Sequence, residues 1–307
     1  MTSTSDITIF TRKTFATQYR QIINTLITSG ERVSPRAQST RELRDVTFVL
    51  AAVSLPECVN VVSQRGGSLS LAALESLNLL SGRSTPALLV AAAPAMKKFT
   101  TRTGAGNYKF DGAYGPRLAE QLRKVAALLS AEPDSRQAVA QIWRRTDLEP
   151  RAFSRSVDVP CTHTLHFMCR HNTLDLSVYM RSNDIWLGTP YDVTMFTQLQ
   201  LSMARALKMF VGTYRHHVGS LHIYERDIPA AEQFLATAAT KSSNRALLGM
   251  PGGDYHDVQQ VAKWLLRGMT LSELRDRFFL LDTWEPTINF YERGVSVATE
   301  RLNRAAE

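Results

Sequence analysis

Two short runs of strict alternation limit the folds open to this chain more than any other feature. They are Leu165, Phe167, Cys169 and then Leu174, Leu176, Val178, Met180. A period of two places every apolar side chain of a run on one face of a strand. His171-Asn172 lies between the runs and offers a tight connection, so the pair reads as a β-hairpin with one buried face. A helical stripe follows soon after: Phe196, Leu199, Met203, Leu207 and Phe210 within an expected helix Val193–Phe210. A sheet with one apolar face beside long amphipathic helices defines an α+β core.

Helical spacing recurs over Phe15–Thr28 (Tyr19, Ile22, Ile23, Leu26) and over Arg117–Leu129 (Leu118, Leu122, Val125, Leu129). Ser68–Leu80 reads as a helix with a serine start and Gly82 as its stop. Val46–Val53 suits a buried strand, Arg136–Trp143 a second and His222–Tyr224 a short third. Thr101–Gly115, with glycines at 104, 106, 112 and 115, reads as a loop. Beyond about residue 240 the chain turns polar, then shows helical patterns at Val258–Leu266 and Leu271–Phe279. The expected organisation is a core over residues 1–240 and a helical extension over 241–307 packed on it.

At 307 residues the chain can bury a generous core. Its longest apolar stretch, near Leu88–Pro94, is far too short for a bilayer, and the N-terminus shows no basic region leading into an apolar run. Three cysteines without a CxxC pair read as reduced thiols, so a cytoplasmic protein is expected. The net charge of +8 comes from arginines scattered along the chain, not from a basic block interleaved with aromatics. Such a pattern suits several arginines converging on one small anion better than a polymeric nucleic acid. Cys161, His163, His166 and Cys169 are metal-ligand types, but on a strand His166 faces away from the other three, so no metal site is expected. His216-His217 reads as a surface pair, and the glycines near 104–106 lack the Lys-Ser/Thr of a P-loop.

The chemistry lies in Val159-Pro160-Cys161 and, twenty residues on, Arg181-Ser-Asn-Asp184-Ile-Trp-Leu-Gly188-Thr-Pro190-Tyr-Asp192. Together they resemble the active-site core of the folate-dependent thymidylate synthases. Further positions fit the same family: Arg36 in the loop after the first helix, Glu75 within Leu71–Gly82, Tyr114 in Ala113-Tyr114-Gly115, Asp134-Ser135-Arg136-Gln137, and His222 and Tyr224 in Gly219–Tyr224. The resemblance covers roughly residues 20 to 230 and implies a mixed β-sheet flanked by helices. It implies Cys161 as the nucleophile, Glu75 and Tyr114 as its catalytic companions, and Asp184 with Asp192 on the base side. Arg36, Arg181 and Ser182 are implied phosphate ligands, and His222 and Tyr224 would hold the sugar 3′-hydroxyl. Arg136 would cross a homodimer interface to the partner's phosphate site, with Gln137 in place of a second arginine. The chain ends Asn303-Arg-Ala-Ala-Glu307, without the short apolar tail that closes the family's site.

Elementary chemistry supports these roles. A thiolate adding at C6 of a pyrimidine makes C5 nucleophilic and can leave again. Arg181 nearby would favour the thiolate. Glu75 shares a helical stripe with Leu71 and Leu79; a carboxyl on such an apolar face is either paired or raised by desolvation, and the latter suits a proton shuttle.

One residue departs from the family where it matters most: Asp192 stands where a uracil-reading enzyme has asparagine. Uracil presents an N3–H donor and an O4 acceptor, which an amide matches. Cytosine presents the reverse, and a carboxyl that keeps or shares a proton can donate to N3 and accept from N4–H. Members with aspartate here look like the deoxycytidylate hydroxymethylases of phages and the cytidylate hydroxymethylases of nucleoside-antibiotic pathways. The expected reaction is therefore hydroxymethylation of dCMP or CMP at C5 by 5,10-methylenetetrahydrofolate and water. The absence of tryptophan between residues 1 and 142, where thymidylate synthases place a water-excluding cluster, points the same way. The alternatives are methylation or hydroxymethylation of dUMP, and a non-catalytic or RNA-binding relative that kept the fold and would tolerate Cys161→Ala.

Overall fold

The computed structural model describes residues 8–11, 14–51, 53–103, 107–148, 157–238, 250–278 and 284–305. The alternation around His171-Asn172 folds as a hairpin of β7 (Thr162–Arg170) and β8 (Thr173–Asp184). Both turn residues have positive φ, 51° and 58°, the signature of a two-residue turn whose twist matches its strands. In chain order the other elements are β1 (Thr8–Thr11), α1 (Phe15–Ser29), β2 (Glu31–Val33), β3 (Thr40–Ala51), α2 (Leu55–Gln64), α3 (Leu69–Ser81) and α4 (Pro86–Ala92). There follow β4 (Thr101–Arg102), β5 (Tyr108–Lys109), α5 (Tyr114–Ala131) and β6 (Val139–Gln141), which precede the hairpin. After it come α6 (Thr189–Ala206), β9 (Phe210–Tyr224), α7 (Ile228–Ala236), α8 (Tyr255–Leu265), α9 (Leu271–Phe278) and α10 (Glu285–Arg304).

Seven of the strands form one sheet in the order β1-β3-β9-β8-β7-β6, with β2 beside β3, while β4 and β5 pair separately. β1 runs parallel to β3 and β8 parallel to β9, while the other pairs are antiparallel, so the sheet is mixed as expected. One face is buried through Leu165, Phe167, Leu176, Val178, Tyr214, Val218, Phe48 and Leu50. The opposite face leaves Tyr179 40% exposed, stacked on His217 at 4.5 Å.

Helix α3 is wrapped by α5, α6, α8 and α10, which explains apolar residues around nearly its whole circumference and isolates Glu75 as its one carboxylate. Ser68 Oγ accepts from the Leu71 amide at its start, and Gly82, at φ 71°, closes its end. Gly115 lets α5 approach that end closely, since a Cβ there would lie 2.3 Å from the Asn78 and Arg83 carbonyl oxygens.

Several expectations need correction. Helix α6 begins at Thr189, not Val193, because Pro190 is tolerated in the first turn, where no intrahelical N–H is required. It ends at Ala206; Lys208, at φ 56°, turns the chain, and Phe210 opens β9 instead of closing a helical stripe. The short strand expected at 222–224 is the end of fifteen-residue β9, and the one expected over 136–143 shrinks to Val139–Gln141. The 101–115 loop carries the β4–β5 ribbon, and Tyr114 begins α5. Gly104 and Gly106, Phe279 and the expected boundary near residue 240 lie outside the described residues. No helix among the described residues is long and apolar enough to cross a membrane.

Candidate active site

Cys161 enters β7 directly after Pro160, beside a register shift between Thr162 and Thr164. Such irregularities re-aim side chains at strand ends. The Cys161 carbonyl accepts from the Arg181 amide at 2.9 Å. The Arg181 side chain ties down the same segment: Nε donates to the Pro160 carbonyl at 3.0 Å, Nη2 to the Val159 carbonyl at 3.2 Å, and Nη2 reaches Cys161 Sγ at 3.7 Å. Burial raises the thiol above its ordinary value; Arg181 and Arg36 pull it down while Asp192 and Asp158 push it up. The expectation that Arg181 favours a thiolate is thus only half met: its charge acts in that direction and burial outweighs it.

A cavity of about 190 Å³ is lined by Glu75, Tyr114 and Asp192 together with Asn78, Ser84 and Asp158. Its apolar walls include Leu79, Leu89, Met96, Phe110 and Met195, with no tryptophan among the lining residues. For scale, a cavity of about 150 Å³ holds a benzene ring. Glu75, Tyr114 and Asp192 are partly exposed, as groups opening onto a pocket must be. Cys161 is partly exposed too but does not line this cavity; it is tied to it through Thr162, the next residue, which the Tyr114 hydroxyl touches. Burial pushes Glu75 up to about 8; Asp192 adds to that rise and Arg65 opposes it. The Tyr114 hydroxyl lies 3.3 Å from the Thr162 amide and 3.1 Å from Thr162 Oγ1, so α5 is fastened beside the nucleophile. Asp158 accepts from the Gly112 amide at 2.7 Å, fastening the residues before Cys161 to the same pocket rim.

Asp192 sits in the first turn of α6, where the helix dipole favours a negative charge. Burial nevertheless raises its carboxyl to about 7, against a hydrogen bond from Asn183 that lowers it. That bond runs from Asn183 Nδ2 to Asp192 Oδ2 at 2.7 Å. Asp184, expected on the base side, spends Oδ1 on the Trp186 and Leu187 amides at 2.8 and 2.9 Å. It shapes the turn into α6, and its neighbour Asn183 is the residue touching Asp192.

Ser182 Oγ lies 3.4 Å from His222 Nδ1, and the His222 ring meets Tyr224 edge-on at 5.4 Å. Arg36 is exposed on the loop before β3, in a left-handed conformation at φ 55°. Glu225 braces that loop by pairing with Arg32 and Arg41 and accepting from Ser39, which leaves Arg36 as the arginine the loop presents. Arg136 is exposed before β6 and lies outside this pocket. A larger groove of about 1070 Å³, between the α2–α3 connection and α10, holds none of the expected site residues.

His216 is a further correction. It is fully buried, not a surface residue, stacked on Phe48 at 4.5 Å and bonded to Tyr214 and Asn183. Four further residues belong to the site without a role in the sequence motifs: Asp158, Asn78 and Ser84 line the cavity, and Asn183 bonds Asp192. Asn183 lay inside the quoted string, and α3 periodicity places Asn78 one turn beyond Glu75, so those two carried a usable signal.

Comparison with known proteins gives one family. A model described as thymidylate synthase matches residues 17–251. A deoxyuridylate hydroxymethyltransferase of Bacillus phage SP01 is 31% identical, over 69% of this chain and 57% of that protein. A thymidylate synthase of Mycoplasma genitalium is 32% identical over 36% of each chain. One of Symbiobacterium thermophilum is 33% identical over 35% of this chain and 36% of that protein. The chain therefore spans at most 57% of the length of these relatives.

Proposed function

The chain belongs to the thymidylate synthase family, which matches its residues 17–251, and from that premise we propose that it transfers a one-carbon unit to C5 of a pyrimidine nucleotide. The finer reading is hydroxymethylation of a cytidine monophosphate, dCMP or CMP. The observation that carries it is Asp192: a carboxyl at the pocket wall, raised to about 7, that holds or shares a proton near neutral pH. Such a group donates to N3 and accepts from N4–H of cytosine. With that proton on the oxygen facing N3, uracil meets donor against donor at N3 and acceptor against acceptor at O4, a mismatch of about 1–3 kcal/mol per group. The SP01 relative favours the second reading, dUMP hydroxymethylation or methylation.

In this reading Cys161 adds to C6, its departing proton passing to the solvated side of the pocket. C5 would then take the one-carbon unit, loss of the C5 proton would release tetrahydrofolate as the leaving group, and departure of Cys161 from C6 would restore the ring double bond. Protonated Glu75 would steady charge on the exocyclic side of the ring, and Tyr114, whose hydroxyl reaches Thr162 next to Cys161, would move the C5 proton. When bound, 5,10-methylenetetrahydrofolate supplies carbon at the oxidation level of formaldehyde. The pocket suits its flat heterocycle, with apolar walls and two buried polar atoms, Asn78 Oδ1 and Ser84 Oγ, that have no hydrogen-bond partner among the described residues. Water completing the reaction at C5 gives a hydroxymethyl group; hydride would give methyl. A wall of Leu89, Met96 and Phe110 without tryptophan supports water.

Arg36, Arg181 and Ser182 receive the phosphate, and His222 with Tyr224 the sugar. A second copy would cover the sheet face carrying Tyr179 and His217 and bring Arg136 to its partner's phosphate site. Cys161→Ala tests whether the chain is an enzyme of this kind: loss of turnover and of a covalent adduct with a 5-fluoropyrimidine nucleotide supports it, and retained function contradicts it.

A further inference from the structure

Tyr214 and His216 stand two residues apart on β9, so their side chains share its helix-covered face, and neither is exposed. Tyr214 Oη lies 2.6 Å from His216 Nδ1, and His216 Nε2 lies 3.2 Å from Asn183 Oδ1. Thr189 Oγ1 donates to the same Asn183 oxygen at 2.6 Å, and Asn183 Nδ2 reaches Asp192 Oδ2 at 2.7 Å. These contacts make a continuous line from the sheet interior to the pocket wall.

The polarity of that line is determined. Burial keeps His216 uncharged, pushing it down to about 3, so the ring offers one donor and one acceptor. With the Asn183 oxygen facing it, Nε2 carries the hydrogen and Nδ1 accepts from the Tyr214 hydroxyl. The Asn183 amide is then locked with its N–H toward Asp192, and Oδ2 of Asp192 must accept. Any proton on that carboxyl is confined to Oδ1.

We propose that His216, acting through Asn183, is the positioning residue that sets which oxygen of Asp192 donates to the base and which accepts. Thr189 Oγ1 shares in holding the Asn183 oxygen but also has the Asp184 carbonyl at 3.1 Å to turn to. Without His216 the Asn183 amide can therefore turn over, present its oxygen to Asp192 and draw the proton to Oδ2, which reverses the order read by the nucleotide. The inference rests on Asp192 contacting the base, as in the proposed function, but not on which base is preferred.

The test is equilibrium binding of dCMP and of dUMP, each by calorimetry, to the wild type and three variants. His216→Phe keeps the stack on Phe48 and removes both hydrogen bonds. His216→Gln supplies an N–H for Asn183 and a carbonyl for Tyr214, and Tyr214→Phe removes only the far end of the line. The expected result is a fall of about tenfold or more in the dCMP:dUMP affinity ratio for His216→Phe, the value of one misdirected hydrogen bond. His216→Gln should restore most of it, and Tyr214→Phe should lie between. A wild type that discriminates, beside a folded His216→Phe with an unchanged ratio, overturns the inference alone. So does a lowered ratio that His216→Gln fails to restore. A wild type preferring dUMP, with that preference lost in His216→Phe, overturns only the cytosine reading. Equal affinities in the wild type, or no binding of either nucleotide, overturn both.

Discussion

Glu75 and Asp192 open onto one pocket, and the charge of Asp192 adds to the larger effect of burial in pushing the Glu75 carboxyl to about 8. A chain that buries two carboxyls in one pocket has set stability aside there, because each holds a proton the unfolded chain would release. Family membership and this geometry support a site where proton transfer and base reading occur side by side.

That arrangement has a pH signature. Glu75 rises from 4.5 to about 8 on folding and Asp192 from 3.8 to about 7. Their contribution to stability is fully present below the unfolded values and is lost as pH rises through the folded ones. Removing Glu75 should therefore benefit the protein increasingly from its unfolded value of 4.5 up to about 8, and removing Asp192 from 3.8 up to about 7, by up to about 1.4 kcal/mol per pH unit. His216 has the opposite sign: lowered from 6.5 to about 3, it favours the folded state above its unfolded value and loses that contribution as pH falls. Denaturant melts of Glu75→Gln and Asp192→Asn against wild type should show a difference that grows with pH across this window. A constant difference would contradict the assigned shifts.

Asp192→Asn should move nucleotide preference toward uracil by about one to two orders of magnitude in kcat/KM, the scale of two reversed hydrogen bonds. Competition between dCMP and dUMP in one reaction reads this directly.

Glu75→Gln should lower kcat by about 10²–10⁴-fold while nucleotide affinity changes little, as expected for a proton shuttle. Steady-state kinetics beside calorimetric affinity separates that outcome from a distorted pocket, which would weaken binding as well.

Arg117 and Asp147 form an ion pair with side chains 6% and 10% exposed, and Arg117 also donates to the Ile142 and Asp111 carbonyls. This fastens α5 to the segment before it at Asp111 and to the segment after β6 at Ile142 and Asp147. Asp147→Ala leaves a buried guanidinium without its counter-charge and should cost about 3–5 kcal/mol in a denaturant melt.

Mixing Arg136→Ala and Cys161→Ala proteins tests a shared site. If each subunit lends Arg136 to its partner, inactive parents should exchange subunits and recover about a quarter of wild-type activity. No recovery in an exchanged dimer would place Arg136 elsewhere.

Legibility in the sequence followed the range of each signal. The hairpin, α1 and α3 were readable because periods of 2 and 3.6 are local properties of the chain. Glu75, Tyr114 and Asp192 were readable as site candidates from motif resemblance, and the fold gathers them at one pocket. The start of α6 is not legible because a proline reads equally as a loop residue and as a first-turn residue, and only the fold places Pro190 in the first turn. His216 was misjudged because a histidine pair in a polar stretch carries no mark of the partners, Asn183 and Phe48, that bury it from distant strands. Asp158 escaped for the same reason: its partner, Gly112, is 46 residues away.

The central claim, a cytosine-reading hydroxymethylase, is tested most directly by turnover. The protein is incubated with 5,10-methylenetetrahydrofolate and each of dCMP, CMP, dUMP and UMP, and the product masses are measured. The account predicts that a cytidine nucleotide gains the mass of one CH₂O unit and that the uridine nucleotides react far more slowly. Turnover of dUMP alone, or a gain of only CH₂, would contradict it.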